Sequence, residues 1–278
     1  MVRVYISVDM EGVAGVSHAK PTARGDSGYP DAVKLMVGEA NAAIEGAFKG
    51  GATDVTVNDS HGAMFNLTPE DLDPRARLVQ GKKPWSMVEA AESAAFDVAL
   101  FVGYHARAGH PRGTIAHTYT GRVTLATING RPVTEAAVNG LYLGALGIPV
   151  GLVSGDDALA EELADWFPWA ERVVVKRGVS WQAADSLHPS RARDLIRGGA
   201  QKAVARAKAK DATLVPLTLA APLTLRIEFA NAGQADIAAI IPGFSRDGDR
   251  GIVYEAPDAV TLFRAFLSAV RLAGTADD

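Results

Sequence analysis

Two pairs of ionisable residues in this sequence each follow a short apolar run, and the members of each pair lie two positions apart. Asp9 and Glu11 follow one run, and Asp59 and His61 follow another. Residues two apart on a strand point to the same side, so each pair can direct its groups toward one point. Clustered buried acids would raise one another's pKa unless a cation offset their repulsion. A divalent metal ion is the simplest such cation.

A third apolar run, residues 97–104, ends at another histidine, His105. A neutral imidazole beside carboxylates is the usual ligand set for zinc, and also suits manganese or cobalt. The sequence contains no cysteine, so nitrogen and oxygen atoms must hold any metal. Two ions roughly 3.5 to 4 Å apart would need a bridging carboxylate, and they could activate water and polarise a carbonyl group. Asp9 is the natural bridge in such a pair.

Each of these residues also has a structural interpretation. Asp9 could cap a helix, Asp59 could brace a turn, and a single histidine is usually a hydrogen-bonded structural group. The metal site is favoured because three successive strand-like runs all end in groups of metal-ligand type. By contrast, His18, His110 and His188 lie in polar segments flanked by proline or glycine, which predicts a surface position.

The elements that would position these groups alternate between strands and helices. Apolar runs and helical spacing predict strands at 2–9, 54–58, 97–104, 148–153, 172–176, 223–230 and 252–255, and helices at 31–49, 134–146, 157–166, 189–209, from about 233, and at 257–272. Asn129-Gly130 predicts a hairpin between residues 122 and 134. This alternation predicts an α/β fold with a mainly parallel β-sheet flanked by helices, and ligands bind such sheets beyond the carboxyl ends of the strands.

The length of 278 residues allows one catalytic unit or two intertwined lobes. If there are lobes, we expect the metal site in about 1–155 and a second lobe in 156–278. The chain carries a net charge of -4, which gives no attraction to nucleic acid or to a membrane surface. Every window of the sequence is expected to be too polar for a membrane span. The first residues read as a strand and not as a targeting segment, so a cytoplasmic location is expected.

Seven segments of the sequence, in order, resemble the M55 family of DppA-like D-aminopeptidases. The resemblance covers nearly the whole chain. The segments are Ser7-Val-Asp9-Met-Glu11-Gly12, Asn58-Asp59-Ser60-His61, Ser86-Met-Val-Glu89, Gly103-Tyr-His105-Ala-Arg107, Arg131-Pro-Val-Thr-Glu135, Gly155-Asp-Asp157 and Glu228-Phe-Ala-Asn231-Ala-Gly-Gln-Ala235.

The resemblance implies a zinc aminopeptidase that releases N-terminal D-amino acids from short peptides and assembles as a homodecamer of stacked five-membered rings. It implies the zinc ligands Asp9, Glu11, His61, His105 and Glu135, with Asp9 shared by two ions. Spacing alone would make Glu135 an exposed residue in the first turn of a helix, where the helix dipole favours an acid.

The resemblance also implies a catalytic histidine shortly after the Gly-Tyr-His segment. His117, in Thr114-Ile-Ala-His117-Thr, matches that place, and His110 is the competing candidate. The loop 108–113 carries one residue more than the family pattern. His117 is expected to handle a proton or to stabilise negative charge that develops on the substrate.

Two other functions fit the same residues. A metal-dependent amidase or esterase acting on another small substrate would use the same ions to activate water. A non-catalytic peptide-binding protein is the alternative from a different class, although such a protein has little use for five metal ligands.

Overall fold

The computed structural model describes residues 1–277. Strands and helices alternate along most of the chain. In chain order they are β1 (Arg3–Val8), α1 (Tyr29–Gly50), β2 (Asp54–Asp59), β3 (Arg77–Val79), β4 (Val98–Tyr104), β5 (Val123–Ile128), β6 (Arg131–Pro132), α2 (Glu135–Ala145), β7 (Val150–Asp156), α3 (Asp157–Glu162), β8 (Glu171–Ser180), β9 (Ala183–Ser186), α4 (Pro189–Lys208), β10 (Leu223–Phe229), α5 (Ala232–Ala239), β11 (Phe244–Asp247), β12 (Gly251–Ala256) and α6 (Ala259–Ala273).

Seven strands form the main sheet, in the order β3-β2-β1-β4-β7-β8-β9. All neighbouring pairs are parallel except β8 and β9, which are antiparallel. The prediction of an α/β fold with a mainly parallel sheet flanked by helices is therefore confirmed. A second sheet of five antiparallel strands, β11-β12-β10-β5-β6, includes the hairpin predicted at Asn129-Gly130.

The main sheet is buried on both faces, which explains the continuous apolar runs of its central strands. Along β1, Val4 and Ile6 join an apolar cluster with α1 and α4. Tyr5 points to the other face and joins a cluster that includes α2, α6 and the second sheet. The parallel sheet is thus the middle layer, and the second sheet lies beyond the helices on one side of it.

The two sheets interleave along the sequence. The main sheet takes strands from residues 3–104 and again from 150–186, whereas the second sheet takes strands from 123–132 and 223–256. A division of the chain near residue 155 therefore does not coincide with the division into sheets.

Three short strands were not predicted from the sequence: β3, β9 and β11. Each lies at an edge of its sheet. An edge strand pairs on one side only and is partly exposed, so its sequence carries neither a long apolar run nor a clear alternation. Helix α3 is also shorter than predicted, because residues 163–166 form turns before Pro168.

Helix α6 and the turn after it form an apolar stretch, Ala259–Ala276, with a mean hydropathy of 1.3. By length and composition alone this stretch could cross a membrane, so the expectation that every window is too polar is wrong. In the structure, one face of α6 packs inside the protein. Phe263 contacts the ring of Tyr142, and Phe266 contacts the ring of Tyr119. This packing is typical of an amphipathic core helix.

Candidate metal centre

The carboxyl ends of β1, β2 and β4 lie side by side, because β1 pairs in parallel with the other two strands. Asp9 and Glu11 follow β1, His61 follows β2, and His105 follows β4. Glu135, the first residue of α2, lies beside His105. These five side chains, here called the ligand cluster, are all buried. The structure thus brings together every residue that was predicted to bind metal.

Glycines allow the ends of β1 and β4 to approach closely. Gly103 has a φ of +71°, and a Cβ atom there would lie 2.3 Å from the carbonyl oxygen of Asp9. A Cβ atom at Gly12 would lie 1.8 Å from the carbonyl oxygen of Tyr104. The backbone of Gly12 also donates a 2.7 Å hydrogen bond to the carbonyl of Gly103. Any side chain at either glycine would separate Asp9 from His105.

The two carboxylate oxygens of Asp9 face different histidines. Oδ1 lies 3.3 Å from Nδ1 of His61, whose Nδ1 is also 2.9 Å from Oε2 of Glu11. Oδ2 lies 3.5 Å from Nε2 of His105, which is 3.5 Å from Oε1 of Glu135. Asp9 therefore stands between two sets of ligand atoms, as a bridging carboxylate does in a two-metal site.

Backbone carbonyls set the orientation of both histidines in the cluster. Nε2 of His61 donates to the carbonyl of Thr22 at 2.8 Å, and Nδ1 of His105 donates to the carbonyl of Ala106 at 2.9 Å. Each ring therefore directs its other nitrogen, with a lone pair when neutral, toward the carboxylates. Metal-binding histidines usually have such a hydrogen bond on the distal nitrogen.

The cluster fits a divalent metal ion on two independent grounds. Nε2 of His105 is fully buried and has no hydrogen-bond partner among the residues that the structure describes, and a buried polar atom without a partner is rare. Ligand atoms of Asp9, Glu11 and His105 lie within 4.8 Å of one another, as do those of His105, His117 and Glu135. His61 belongs to neither of these groups, but its Nδ1 lies 3.3 Å from Asp9 and 2.9 Å from Glu11.

Charges in the ligand cluster shift one another's ionisation strongly. Burial and the neighbouring charge of Glu11 raise the pKa of Asp9 to about 8. Burial also opposes ionisation of Glu11, but the charge and hydrogen bond of His61 outweigh it and hold the pKa of Glu11 well below its ordinary value. Without a metal, one carboxyl group therefore keeps its proton. This is the repulsion that a divalent ion would relieve.

The histidines of the cluster respond in the opposite direction. Burial disfavours the charged form of His105, yet Glu135 and Asp9 raise its pKa to about 10. Burial likewise opposes charging of His61, but Glu11 and Asp9 raise its pKa well above the ordinary value. In the absence of a metal, protons on these rings compensate the carboxylates. A metal ion would take over that positive charge and release the protons.

His117 lies beside the ligand cluster and is more exposed than the two histidines of the cluster. Its ring stacks on that of His105, with centroids 4.3 Å apart, and its Nε2 lies 3.6 Å from Oε1 of Glu135. The side chain is 24% exposed, against 1% for His105. Nδ1 donates to the carbonyl of Ile115 at 2.9 Å, so Nε2 is the atom turned to the cluster.

The segment around His117 is held in an unusual backbone conformation. Ile115 has a φ of +53° and Tyr119 a φ of +62°, a region that branched and bulky residues rarely adopt. The backbone N–H of Thr114 donates to Asp156 at 2.8 Å, and the N–H of Tyr119 donates to Glu135 at 2.6 Å. Asp156, in the Gly155-Asp-Asp157 segment, therefore anchors the loop that carries His117.

The other histidines lie away from the ligand cluster. Each ring accepts a local hydrogen bond through Nδ1, from the backbone N–H two residues further on. His18 and His188 are exposed, as expected, whereas His110 is half-buried. Asp59 is not a ligand either, because its carboxylate accepts hydrogen bonds from the backbone N–H groups of Asn66 and Leu67. Its role is to brace the turn after β2.

Lys176 supports the ligand cluster, although the sequence around it does not predict that role. The side chain is buried, and its Nζ donates to the backbone carbonyls of Glu11, Val13 and Val16. The loop after β1 is thereby wrapped around an ammonium group. Lys176 lies on β8 and comes close to Glu11 only through the order of strands in the main sheet.

A chain of buried hydrogen bonds runs beneath the cluster. The hydroxyl of Tyr104 bonds to the hydroxyl of Ser7 at 2.7 Å and accepts from Asn139 at 3.2 Å. The Ser7 hydroxyl also bonds to that of Ser60 at 2.6 Å. These residues tie β1, β2 and β4 to α2, which explains several polar positions in the segments that resemble the M55 family.

A cavity of about 660 Å³ opens over the cluster. Asp9, Glu11, His61, Glu135 and His117 line it. Its lining also includes residues 82–84 and the carboxyl end of α6, elements whose sequences do not indicate a place at the site. The volume is in the range of pockets that take small ligands.

Comparisons with known proteins agree with this geometry. The M55 peptidase family, described as D-aminopeptidase, matches residues 2–268. A D-aminopeptidase of Bacillus subtilis (strain 168) is 38% identical over 273 residues, which cover 98% of this chain and 97% of the relative. A solved structure described as "Zn-dependent D-aminopeptidase DppA from Bacillus subtilis, a self-compartmentalizing protease" matches with a TM-score of 0.90 and 37% identity over 98% of each chain. The chain belongs to the M55 family of peptidases.

Proposed function

We propose that this protein is a zinc-dependent aminopeptidase that hydrolyses N-terminal D-amino acids from short peptides or amides. The observation that carries the proposal is the pair of ligand sets on either side of Asp9, in a chain that matches the M55 family over residues 2–268. The description of the solved relative as a Zn-dependent D-aminopeptidase supports the choice of metal and substrate.

The five residues of the ligand cluster would hold two ions. Glu11 and His61 would bind one ion, and His105 and Glu135 would bind the other. Asp9 would contribute one oxygen to each. When bound, zinc lowers the pKa of a water molecule and polarises the scissile carbonyl group.

His117 would handle a proton or stabilise developing negative charge during the reaction. Its Nε2 faces the cluster, its side chain lines the cavity, and its Nδ1 is fixed by a backbone carbonyl. This arrangement leaves one nitrogen available to the substrate. His110 lies outside the cluster and does not line the cavity.

The oligomeric state is part of the same proposal. The solved relative is described as a self-compartmentalizing protease, a term that requires several subunits around an enclosed space. We propose a homodecamer for this chain. Light scattering after size-exclusion chromatography would then give ten times the chain mass of 29.1 kDa, and a monomer or dimer would contradict it.

The activity is tested with purified protein loaded with zinc and with matched D- and L-substrates. We expect release of D-alanine from D-alanyl-D-alanine and from D-alaninamide, no release from the L-forms, and loss of activity with a chelator. Hydrolysis of esters but of no D-aminoacyl substrate would instead indicate a different metal-dependent hydrolase. Peptide binding without any turnover would indicate a binding protein.

Two histidine variants separate metal binding from proton handling. His117→Ala should keep its zinc and lose turnover by about 100- to 10,000-fold, the range for loss of a general acid or base. His105→Ala should lose zinc together with activity. Full turnover by zinc-loaded His117→Ala would exclude the proposed role.

A further inference from the structure

The charges that line the cavity are segregated by sign. Among the described residues, the lining carboxylates are Asp9, Glu11 and Glu135, and all three belong to the ligand cluster. Outside the cluster, the charged lining side chains in the part of the chain that the structure describes are all basic: Lys82, Lys83, Arg122 and Arg271. Metal ions on the ligand cluster would cancel the negative charge of its carboxylates. The basic residues of the lining would then attract an anion.

Two of the four basic groups, Lys83 and Arg122, are held within the lining by contacts with other residues. Nζ of Lys83 donates to Oδ1 of Asn58 and to the carbonyl of Asp59, both at 2.6 Å. Burial lowers the pKa of Lys83 to about 8. Arg122 is half-buried and donates to the hydroxyl of Thr120. Lys83 and Arg122 are therefore parts of the cavity lining that already have partners in the protein.

The other two basic groups are available to a ligand. Lys82 is exposed and forms no hydrogen bond or ion pair with any described residue. Arg271 is exposed and makes one hydrogen bond within the described chain, from Nη2 to the carbonyl of Lys83 at 2.9 Å. That bond holds the guanidinium group at the cavity, and Nε and Nη1 have no acceptor among the described residues. A guanidinium presents such paired donors to a carboxylate in a two-point contact.

The chemistry of the substrate supplies the matching anion. A peptide hydrolysed from its amino terminus places the scissile carbonyl at the metal ions, and its other end carries a carboxylate. In a short peptide that carboxylate is only a few bonds from the scissile bond, so it must lie within the same cavity. Lys82 and Arg271, here called the cation wall, line the same cavity as the ligand cluster.

We propose that Arg271 and Lys82 bind the C-terminal carboxylate of the short peptide substrate, an assignment that rests on the proposed aminopeptidase function. The cavity then recognises both ends of a free short peptide. Substrates with a blocked carboxyl end lose this contact and are poorer. Arg271 is a specificity-determining residue, because it acts on the part of the substrate that does not react.

The test compares D-alanyl-D-alanine with its C-terminal amide, using the zinc-loaded full-length protein. A charge-assisted hydrogen bond to a carboxylate corresponds to about 10- to 100-fold in kcat/KM, and the wild type should prefer the free acid by that factor. Arg271→Gln should remove most of the preference, mainly through KM. Lys82→Gln should reduce it by about 2- to 5-fold.

Arg264→Gln is the matched control. Arg264 lies on the same helix two turns earlier, stacks over the ring of Trp85 and does not line the cavity. Its acid-to-amide preference should equal that of the wild type. Lys82→Gln tests the same assignment if the arginine variant fails to fold, since Lys82 is exposed and its replacement removes no hydrogen bond or ion pair within the described residues.

The outcomes separate this assignment from the proposed function. Equal kcat/KM for acid and amide in the wild type would overturn the carboxylate assignment alone. So would an Arg271→Gln variant that loses activity equally on both substrates. If the wild type hydrolysed neither D-alanyl-D-alanine, its amide nor D-alaninamide, the aminopeptidase function itself would fail.

Discussion

The ligand cluster and the cation wall face the same cavity but are built in different ways. The ligand cluster consists of buried side chains at strand ends, and backbone carbonyls and close glycine contacts fix their positions. The cation wall consists of long side chains from a loop and a helix end. Lys82 and Arg271, in particular, are exposed. Preorganised groups suit the reacting bond, whereas long exposed side chains can adjust to substrates of different length.

The difference in burial also determines how strongly charges interact in the ligand cluster and on the cation wall. Charges in the buried cluster interact through a medium of low polarisability, which is why several pKa values there are displaced. Charges on the cation wall face solvent, where water and salt weaken their effect. Changes to the ligand cluster should therefore cost more activity than changes to the cation wall.

Removal of the shared ligand should have the largest effect. Asp9→Ala deletes the carboxylate that stands between both ligand sets, so neither ion keeps its full coordination. We expect loss of both zinc ions and at least a 1,000-fold decrease in kcat/KM, on the order of the several kcal/mol that metal ions contribute to such reactions. Elemental analysis and D-alanyl-D-alanine hydrolysis measure the two effects.

Glu39→Gln provides a control for Asp9→Ala. Glu39 is a buried carboxylate on α1 that belongs outside the ligand cluster, so the variant should keep its zinc. If Asp9→Ala still bound two ions per chain, the proposed bridging role would be wrong.

Much of the ligand cluster was predictable because its geometry is local. Asp9, Glu11, His61 and His105 each follow an apolar run that forms a strand, and adjacent parallel strands bring their carboxyl ends together. Glu135 was different, since its position at the start of α2 indicated an exposed residue. Only the resemblance to the M55 family assigned it to the metal. In the structure it is buried beside His105 and accepts a hydrogen bond from the backbone N–H of Tyr119.

The supporting residues and the cation wall could not be predicted in the same way. Lys176 reaches the loop after β1 only because β8 follows β7 in the main sheet. Arg271 lies on a helix whose apolar pattern was evident, but the pattern does not show which end of that helix meets the cavity. Edge strand β3 and the second sheet likewise depend on pairing between distant segments. These features follow from tertiary packing and have no signature in a short stretch of sequence.

Lys176 should have the next largest effect, through the position of Glu11. Lys176→Met removes the ammonium donor from three backbone carbonyls in the loop after β1. We expect zinc affinity to fall by about 10- to 100-fold, as for other residues that orient a metal ligand. Competition titration with a chelator measures the affinity. A lower melting temperature with unchanged affinity would show that Lys176 stabilises the fold and does not position Glu11.

A buried carboxyl group beside the loop after β1 should make the stability of the protein depend on pH. Glu39 accepts a hydrogen bond from the N–H of Ala14 at 2.8 Å, but its Oε2 has no partner within the described residues. Burial raises the pKa of Glu39 from 4.5 to about 7. A raised carboxyl pKa means that the folded state binds the proton more tightly than the unfolded state. Stability from this group is therefore complete below about pH 4.5 and falls as the pH rises through 7.

Glu39→Gln should remove that dependence. The amide keeps the acceptor for Ala14 and cannot ionise. Relative to the wild type, the free energy of unfolding of the variant should rise by about 2 to 3 kcal/mol between pH 5 and pH 8. Denaturant unfolding of both proteins in the presence of a chelator measures the difference without the contribution of metal. A difference that does not change with pH would contradict the assignment of the titration to Glu39.

Salt should have the smallest effect and should distinguish the two sides of the cavity. Chloride screens exposed charges but reaches the buried ligand cluster much less, so it should weaken substrate binding at the cation wall and leave the reacting centre unchanged. Between 0.05 and 0.5 M sodium chloride we expect KM for D-alanyl-D-alanine to rise by about 2- to 5-fold, with kcat constant. KM for D-alaninamide, which has no carboxylate, is the internal control. An equal rise for both substrates would place the salt effect elsewhere, because only the free acid should depend on Lys82 and Arg271.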